Sequence, residues 1–267
     1  MLDAAGYAAA IAHRGVRLIR VPTTTLAQAD SCVAVKCGVN GFGKKNYLGV
    51  FAAPWAVVLD STLLETLSDR DWRSGFSEAV KVGLVKDAWL FRQIRTGAKS
   101  IAARDMATAW PIVQRSAEIH LRHITEGGDP FELETARPLD YGHWAAHRLE
   151  TMTEYRLRHG EAVAIGIAID TEYSRLKGFS TGEVAAEVRA VLEDLCFTLA
   201  DPALADRDGL LAGLEEFREH LGGRLAIAMV RGVGAAFDVG EIDRGAMGEA
   251  IASVASWKRT LAGSEVA

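Results

Sequence analysis

Two short strand signals stand in front of a long run of helical sequence, and that imbalance constrains the fold more than anything else in the chain. Val16–Val21 alternates apolar and polar residues and is closed by Pro22; residues 56–60 form a brief apolar run. Two strands of this length are too few for an independent sheet. The front of the chain is therefore expected to be a small α/β portion that needs further strands beside it. A helix over 3–13, ended by Gly15, precedes the first strand. Residues 23–46 carry glycine and serine with little periodicity and read as a long ordered loop or hairpin, a kind of segment that is usually functional.

Beyond residue 67 helix dominates. Ser68 is a good N-cap, because its hydroxyl accepts from the unpaired amides of a first turn, and Asp69 and Asp71 suit the positive end of the dipole. That helix should turn Phe76, Val80 and Leu84 inward. Further helices are expected at 87–97, 105–126, 138–155, 159–178, 182–197 and 208–221, with one late strand at 225–230 and a last helix over 243–261. Residues 263–267 read as a frayed tail. The reading is a mostly α protein with a small α/β front portion, divided into 1–67 and a helical 68–267.

Hydrophobic residues at 49% supply ample core, and the net charge of −5 offers no general attraction to nucleic acid or an anionic membrane. No apolar run approaches the roughly 18–20 residues that span a bilayer, and the N-terminus lacks the basic start and apolar core of a signal peptide. Cys32, Cys37 and Cys196 cannot all pair and form no C-x-x-C, so a reduced, cytoplasmic chain with three small core thiols is expected. Trp55, Trp72, Trp89, Trp110 and Trp144 are expected to pack in the core, and His13, His123 and His220 to be surface or structural.

Two clusters carry chemistry. In the first, Lys36, Lys44, Lys45 and Asn46 lie among Gly38, Gly41 and Gly43. Glycines let backbone amides approach an anion and lysines neutralise it, although the same composition describes a solvated basic loop. Thr23, Thr24 and Thr25 either donate to phosphate or favour extended backbone. Asp30 either holds a hydroxyl or caps a turn. In the second cluster, His143 and His147 share a helix face at i and i+4, and His159 opens the next helix. With Glu78, which is three residues before Lys81, two histidines and a carboxylate match a common catalytic zinc shell. Histidines hydrogen-bonded within helices are the alternative.

These segments resemble the sugar-phosphate cyclase superfamily, whose best-known member is 3-dehydroquinate synthase. The likeness rests on RGV…PTTTLAQADS, VAVKCGVNGFGKKNYLG, SGFSEAVK, YGH…H and RHGEAVAIGIA, in the family's order across about residues 3–178. The wording GDPFE…ARPLDYGHWAAHRLE is nearer to the divergent branch of ebo-type biosynthetic clusters. The resemblance implies a dehydroquinate synthase-like helical C-terminal domain and, in residues 1–67, the remnant of an N-terminal Rossmann-like NAD-binding domain. It implies Zn2+, with Co2+ as an alternative, on Glu78, His143 and His159. It implies NAD contacts from Asp3, Thr23, Asp30, Lys45 and Thr66, and substrate contacts from Lys36, Asn46, Lys81, His147 and Arg137. Arg14 would reach across a homodimer. The implied substrate is a phosphorylated seven-carbon sugar or sugar acid. The implied reaction eliminates phosphate and closes a carbocycle by intramolecular aldol addition, without net consumption of NAD.

Departures from the family pattern are part of the reading. The chain starts just after the family's glycine-rich nucleotide turn, so most of that domain is expected to be absent. His120 stands where 3-dehydroquinate synthase has a substrate-binding lysine, Asp140 where it has an asparagine, and Arg137 is displaced by one position. An acid at Asp140 disfavours a substrate carboxylate by like-charge repulsion, which brings in a sedoheptulose 7-phosphate cyclase of the valiolone synthase kind. A non-catalytic zinc-binding remnant, or a module that binds phosphorylated ligands without turnover, is the rival class.

Overall fold

Helices make up most of the structure, as the sequence implies. The computed structural model describes residues 1–42, 44–128, 131, 138–220 and 222–257. They fall into two units, Met1–Ala136 and Arg137–Ala267.

The first unit opens with α1 (Leu2–Ile11), β1 (Ile19–Arg20) and a π-helical turn at Ala27–Ser31. The hairpin β2 (Lys36–Gly41) and β3 (Lys44–Phe51) follows, then β4 (Ala56–Val57) and a 3-10 turn at Ser61–Leu64. The segment read as loop or hairpin is thus a helical turn followed by the first strand of a hairpin. β1 and β4 pair in parallel, Ile19 with Ala56 and Arg20 with Val57. Both are shorter than expected. Such a short ladder is reinforced by buried side chains. The Arg20 guanidinium donates to the carbonyls of Cys32 (2.9 Å) and Ala34 (2.6 Å), and Gln28 donates to those of Pro22 (2.9 Å) and Asp60 (2.8 Å). Among the described residues the sheet has these two strands, and Ile19, Val21, Trp55 and Val58 on or beside it are exposed.

Three helices complete this unit: α2 (Asp69–Lys86), α3 (Ala88–Ala102) and α4 (Met106–Glu126), which pack on one another. Ser68 caps α2 as expected, accepting from the Asp71 amide at 3.2 Å. Asp87 accepts from the amides of Trp89 and Leu90 and so starts α3 where α2 ends. The stripe of Phe76, Val80 and Leu84 is buried, but so is everything from Ser74 to Val85, because α2 is covered on all sides. Thr25 fixes the π-helical turn to α2: its hydroxyl donates to the Trp72 carbonyl (2.7 Å) and accepts from the Gly75 amide (3.2 Å). A Cβ on Gly75 would lie 2.6 Å from the Thr25 carbonyl oxygen and closer still to Leu26 N.

In the second unit a 3-10 turn (Pro138–Asp140) precedes α5 (His143–Met152), α6 (His159–Leu176) and α7 (Gly182–Asp194). After a 3-10 turn at Pro202–Ala205 come α8 (Arg207–His220), the antiparallel hairpin β5 (Ile227–Gly232) and β6 (Ala235–Val239), and α9 (Arg244–Ala255). Helix α6 is the core element, packed by α5, α7, α9 and β5 and buried continuously from Ala162 to Ser174.

Five expectations are corrected. The helix expected over 138–155 is broken at Gly142, whose φ of +77° is left-handed. The late strand has a partner, β6, across a turn containing Gly234 at φ +78°. Cys196 is exposed at the end of α7, unlike buried Cys32 and Cys37. Trp55 and Trp89 are exposed, unlike Trp72 and Trp144, and stack beneath the guanidinium groups of Arg17 and Arg115. The expected last helix ends at Ala255, and residues 258–267, the tail included, lie outside the described residues.

Inside α6 lies a fully buried acid. Asp170 accepts from the Gly142 amide (2.9 Å) and the Trp144 indole N–H (2.8 Å), yet burial outweighs both bonds and raises its pKa from 3.8 to about 7. The unfolded chain ionises this group first, so its stabilising contribution is complete below the unfolded pKa and is lost as pH rises through the folded one. Urea unfolding of the unaltered chain and Asp170→Asn should show it. Relative to the variant, the unaltered chain loses about 2–3 kcal/mol between about pH 5 and about pH 8, and a pH-independent difference would contradict the assignment. Gly75→Ala should destabilise by about 1–3 kcal/mol or more, read as a lower denaturation midpoint, because the opposing atoms are backbone and cannot rotate away.

Candidate active site

Helix α2 brings Glu78 and Lys81 to one face at i, i+3, where they form a direct ion pair, both nearly inaccessible. Charges this deeply buried persist only when compensated. Asp30, from the π-helical turn, meets His120 of α4 with Oδ1 2.8 Å from Nδ1. Burial works to raise the Asp30 pKa, but the charges of Lys81 and His120 outweigh it and hold the carboxyl below its ordinary value. Asp30 is therefore an anion, and its contact with His120 is one of charge and proximity. This unit thus brings Asp30, Glu78, Lys81 and His120 into one buried network.

The other expected residues of this unit lie on other elements. Asp3 is half-buried in the first turn of α1; Thr23 and Thr66 are exposed on separate connections. Lys36 is exposed at the start of β2, and Arg14 is exposed at φ +68°, before Gly15. Lys45 and Asn46 lie on β3, but their side chains, like all of Arg137, are outside the described residues. Of the threonine run, Thr24 accepts from the Ala27 amide (3.1 Å) and Thr25 bonds to α2, so both are occupied in building the turn that carries Asp30.

In the second unit, α5 and the start of α6 gather three imidazoles. His143 lies 5.5 Å from His147 and 5.4 Å from His159 between ring centroids, and His147 lies 5.9 Å from His159. His143 Nδ1 is 3.1 Å from the Tyr141 carbonyl oxygen, which can only accept; Nδ1 therefore carries the proton and the lone pair is on Nε2. His159 Nδ1 is 3.2 Å from Glu150 Oε2, a carboxylate–histidine pair of the kind that orients metal-ligating imidazoles. Glu161 accepts from the Arg158 amide (3.0 Å) and fixes the start of α6 at His159. His147, Glu150 and His159 can each present a ligand atom within 4.8 Å of the others. Two imidazoles held by Nδ1, with an acid beside them, fit a divalent transition metal. Glu150 is the group that the sequence reading missed. Its signal was its position, i+3 from His147 and i+7 from His143, on the same face of α5.

Comparison with known proteins gives these residues a setting. Residues 1–74 match the 3-dehydroquinate synthase N-terminal family and residues 75–209 the 3-dehydroquinate synthase C-terminal family. Among individual proteins, the 3-dehydroquinate synthase of a Ruegeria species is 39% identical over 252 residues, covering 90% of this chain and 65% of that protein. That of Ruegeria pomeroyi is 38% identical over 257 residues, covering 92% and 67%. The chain thus spans about two-thirds of the length of these relatives. Among solved structures, the 2-epi-5-epi-valiolone synthase of Streptomyces hygroscopicus subsp. jinggangensis, with NAD+ and Zn2+ bound, superposes with a TM-score of 0.89 at 28% identity. That match covers 95% of this chain and 70% of that one. A 2-deoxy-scyllo-inosose synthase complexed with carbaglucose-6-phosphate, NAD+ and Co2+ shares the fold, with a TM-score of 0.76 at 22% identity over 92% and 70% of the two chains.

The buried network gives a direct test. Lys81→Met removes the ammonium that compensates Glu78 and keeps Asp30 ionised. The expected cost is about 3–5 kcal/mol in denaturant unfolding of the metal-free chain at neutral pH; a loss below about 1 kcal/mol would mean that the pair is not buried in solution.

Proposed function

Because this chain belongs to the 3-dehydroquinate synthase family, we propose that it is a sugar-phosphate cyclase, a lyase that uses NAD and a divalent metal to eliminate phosphate and close a carbocycle. The observation that carries this reading is the gathering of His143, His147 and His159, with the Nδ1 atoms of His143 and His159 held by Tyr141 and Glu150. Such a cluster suits a ligand that draws imidazoles together.

Glu78, His143 and His159 are assigned as metal ligands. When bound, a divalent metal supplies Lewis-acid polarisation of a substrate hydroxyl, and NAD supplies a transient hydride acceptor. The chain's own residues do the rest. Lys36, Lys81 and Arg14 neutralise the phosphate as it becomes a leaving group, with Arg137 in the same capacity. Asn46 and His147 orient substrate oxygens by hydrogen bonds. Asp3, Thr23, Asp30, Lys45 and Thr66 are assigned to NAD. The division of 1–67 from 68–267 is carried with this reading as a division of labour: cofactor and substrate loop ahead, metal and substrate helices behind. A homodimer and a cytoplasmic location belong to the same proposal. The absence of a disulfide, and of any helix long and apolar enough to cross a membrane, among the described residues is compatible with that location.

The substrate is a phosphorylated seven-carbon sugar or sugar acid. A 3-dehydroquinate synthase-like reaction is the first reading. Two observations favour sedoheptulose 7-phosphate, the substrate without a carboxylate, as the second: Asp140 adds an acid just before the histidine turn, and His120 is already engaged by Asp30. The test is phosphate release by the chain supplied with NAD+ and Zn2+, with 3-deoxy-arabino-heptulosonate 7-phosphate and sedoheptulose 7-phosphate offered separately. Release from one of them is expected, and it should fall on the order of a thousandfold in His159→Ala, the rate equivalent of several kcal/mol of lost charge stabilisation. No release from either would overturn the cyclase reading.

A further inference from the structure

The residue that holds a metal ligand in place need not be a ligand, and in the second unit one side chain stands out in that capacity. The chain between the 3-10 turn at Pro138–Asp140 and α5 passes against the middle of α6. Gly142 lies there at φ +77°, and a Cβ on it would be 2.7 Å from Ile167 N. Three side-chain bonds fasten the residues around it. The Tyr141 hydroxyl meets Thr171 Oγ1 at 2.8 Å; the threonine proton is committed to the Ile167 carbonyl (2.7 Å), so the tyrosine donates. The Gly142 amide donates to Asp170 Oδ2 at 2.9 Å, and the Trp144 indole donates to Asp170 Oδ1 at 2.8 Å. Asp170 therefore grips the chain on both sides of His143, one residue before it and one after, without touching it. The Tyr141 carbonyl that fixes the His143 tautomer belongs to the same turn.

We propose that Asp170 is the positioning residue of the metal site: by clamping Gly142 and Trp144 it sets the direction of His143 and thereby the affinity for a divalent cation. The inference rests on the metal reading of His143 and His159. A carboxylate suits this position because two donors converge on it and each finds an oxygen. Burying such an acid works against stability, which is the reason to look for a role beyond packing. An apolar residue would fill the space but leave both N–H groups without acceptors.

Asp170→Asn is close to isosteric but offers one acceptor and one NH2, so a donor faces a donor. In the full-length chain, Zn2+ affinity measured by chelator competition is expected to fall about 10- to 100-fold, the usual effect of losing an outer partner of a metal ligand. Trp144→Phe removes one donor and keeps the Gly142 bond, and should weaken binding by less. The double variant Asp170→Asn/Trp144→Phe is decisive. The asparagine oxygen can then serve Gly142 with no opposing indole N–H, so affinity should recover relative to Asp170→Asn even though the phenylalanine leaves a void. A merely structural role predicts the reverse, with the double variant worst in both melting temperature and affinity. Should Asp170→Asn fail to fold, Trp144→Phe alone decides. Zn2+ affinities within about twofold of the unaltered chain would overturn the positioning role alone. No Zn2+ binding by the unaltered chain would overturn the metal reading and this inference with it.

Discussion

The second unit depends on a place where two stretches of backbone nearly touch. Gly142, left-handed and without a side chain, lies against α6 at Gly166 and Ile167, and neither glycine has room for a Cβ. That approach ends the regular path of the chain before α5 and starts the helix at His143. It also brings Tyr141, Gly142 and Trp144 within reach of Asp170 and Thr171. Helix α6 carries His159 at its first turn and the clamp on His143 three turns later. One rigid element therefore governs the orientation of two of the three gathered imidazoles.

Both core helices bury charge. Helix α2 is enclosed from Ser74 to Val85 yet includes Glu78 and Lys81, and α6 is enclosed from Ala162 to Ser174 yet includes Asp170. A helix selected for stability alone would carry apolar residues there, since a buried ion pair is often no better than a hydrophobic replacement of its size. The acids are held in opposite ways. Asp30, beside α2, is kept ionised by Lys81 and His120, whereas Asp170 has neutral donors for partners and is drawn toward protonation. The carboxyl serves the first unit as a fixed charge and the second as a pair of acceptors for two N–H groups.

The helices were legible because their caps are local. Ser68, Asp87 and Asp105 each satisfy amides two or three residues ahead, a relation written in consecutive positions. The break at Gly142 was not legible, because YGHWAAHRLE reads as continuous helix unless the approach of α6 is known. Glu150 was missed for a related reason. Its place on the histidine face follows from helical spacing, but its role requires His159, nine residues away on another helix. Strand β6 escaped because its burial alternates only weakly and its partner β5 defines it. The exposure of Trp55 and Trp89 escaped because cation stacking on Arg17 and Arg115 lets an indole remain at the surface.

By itself, the sequence determined the helical character of the chain, the small α/β front, the placement of the histidines and the family to which they belong, since each is carried by composition, periodicity or motifs that stand in order along the chain. The tertiary structure alone decided which polar groups meet: Asp30 with His120, Glu150 with His159, and Asp170 with the turn that carries His143. The reason is physical. A polar contact between elements depends on the packing distance of backbones far apart in sequence, and for Asp170 and the turn before His143 that distance is set by two glycines whose significance no local pattern reveals.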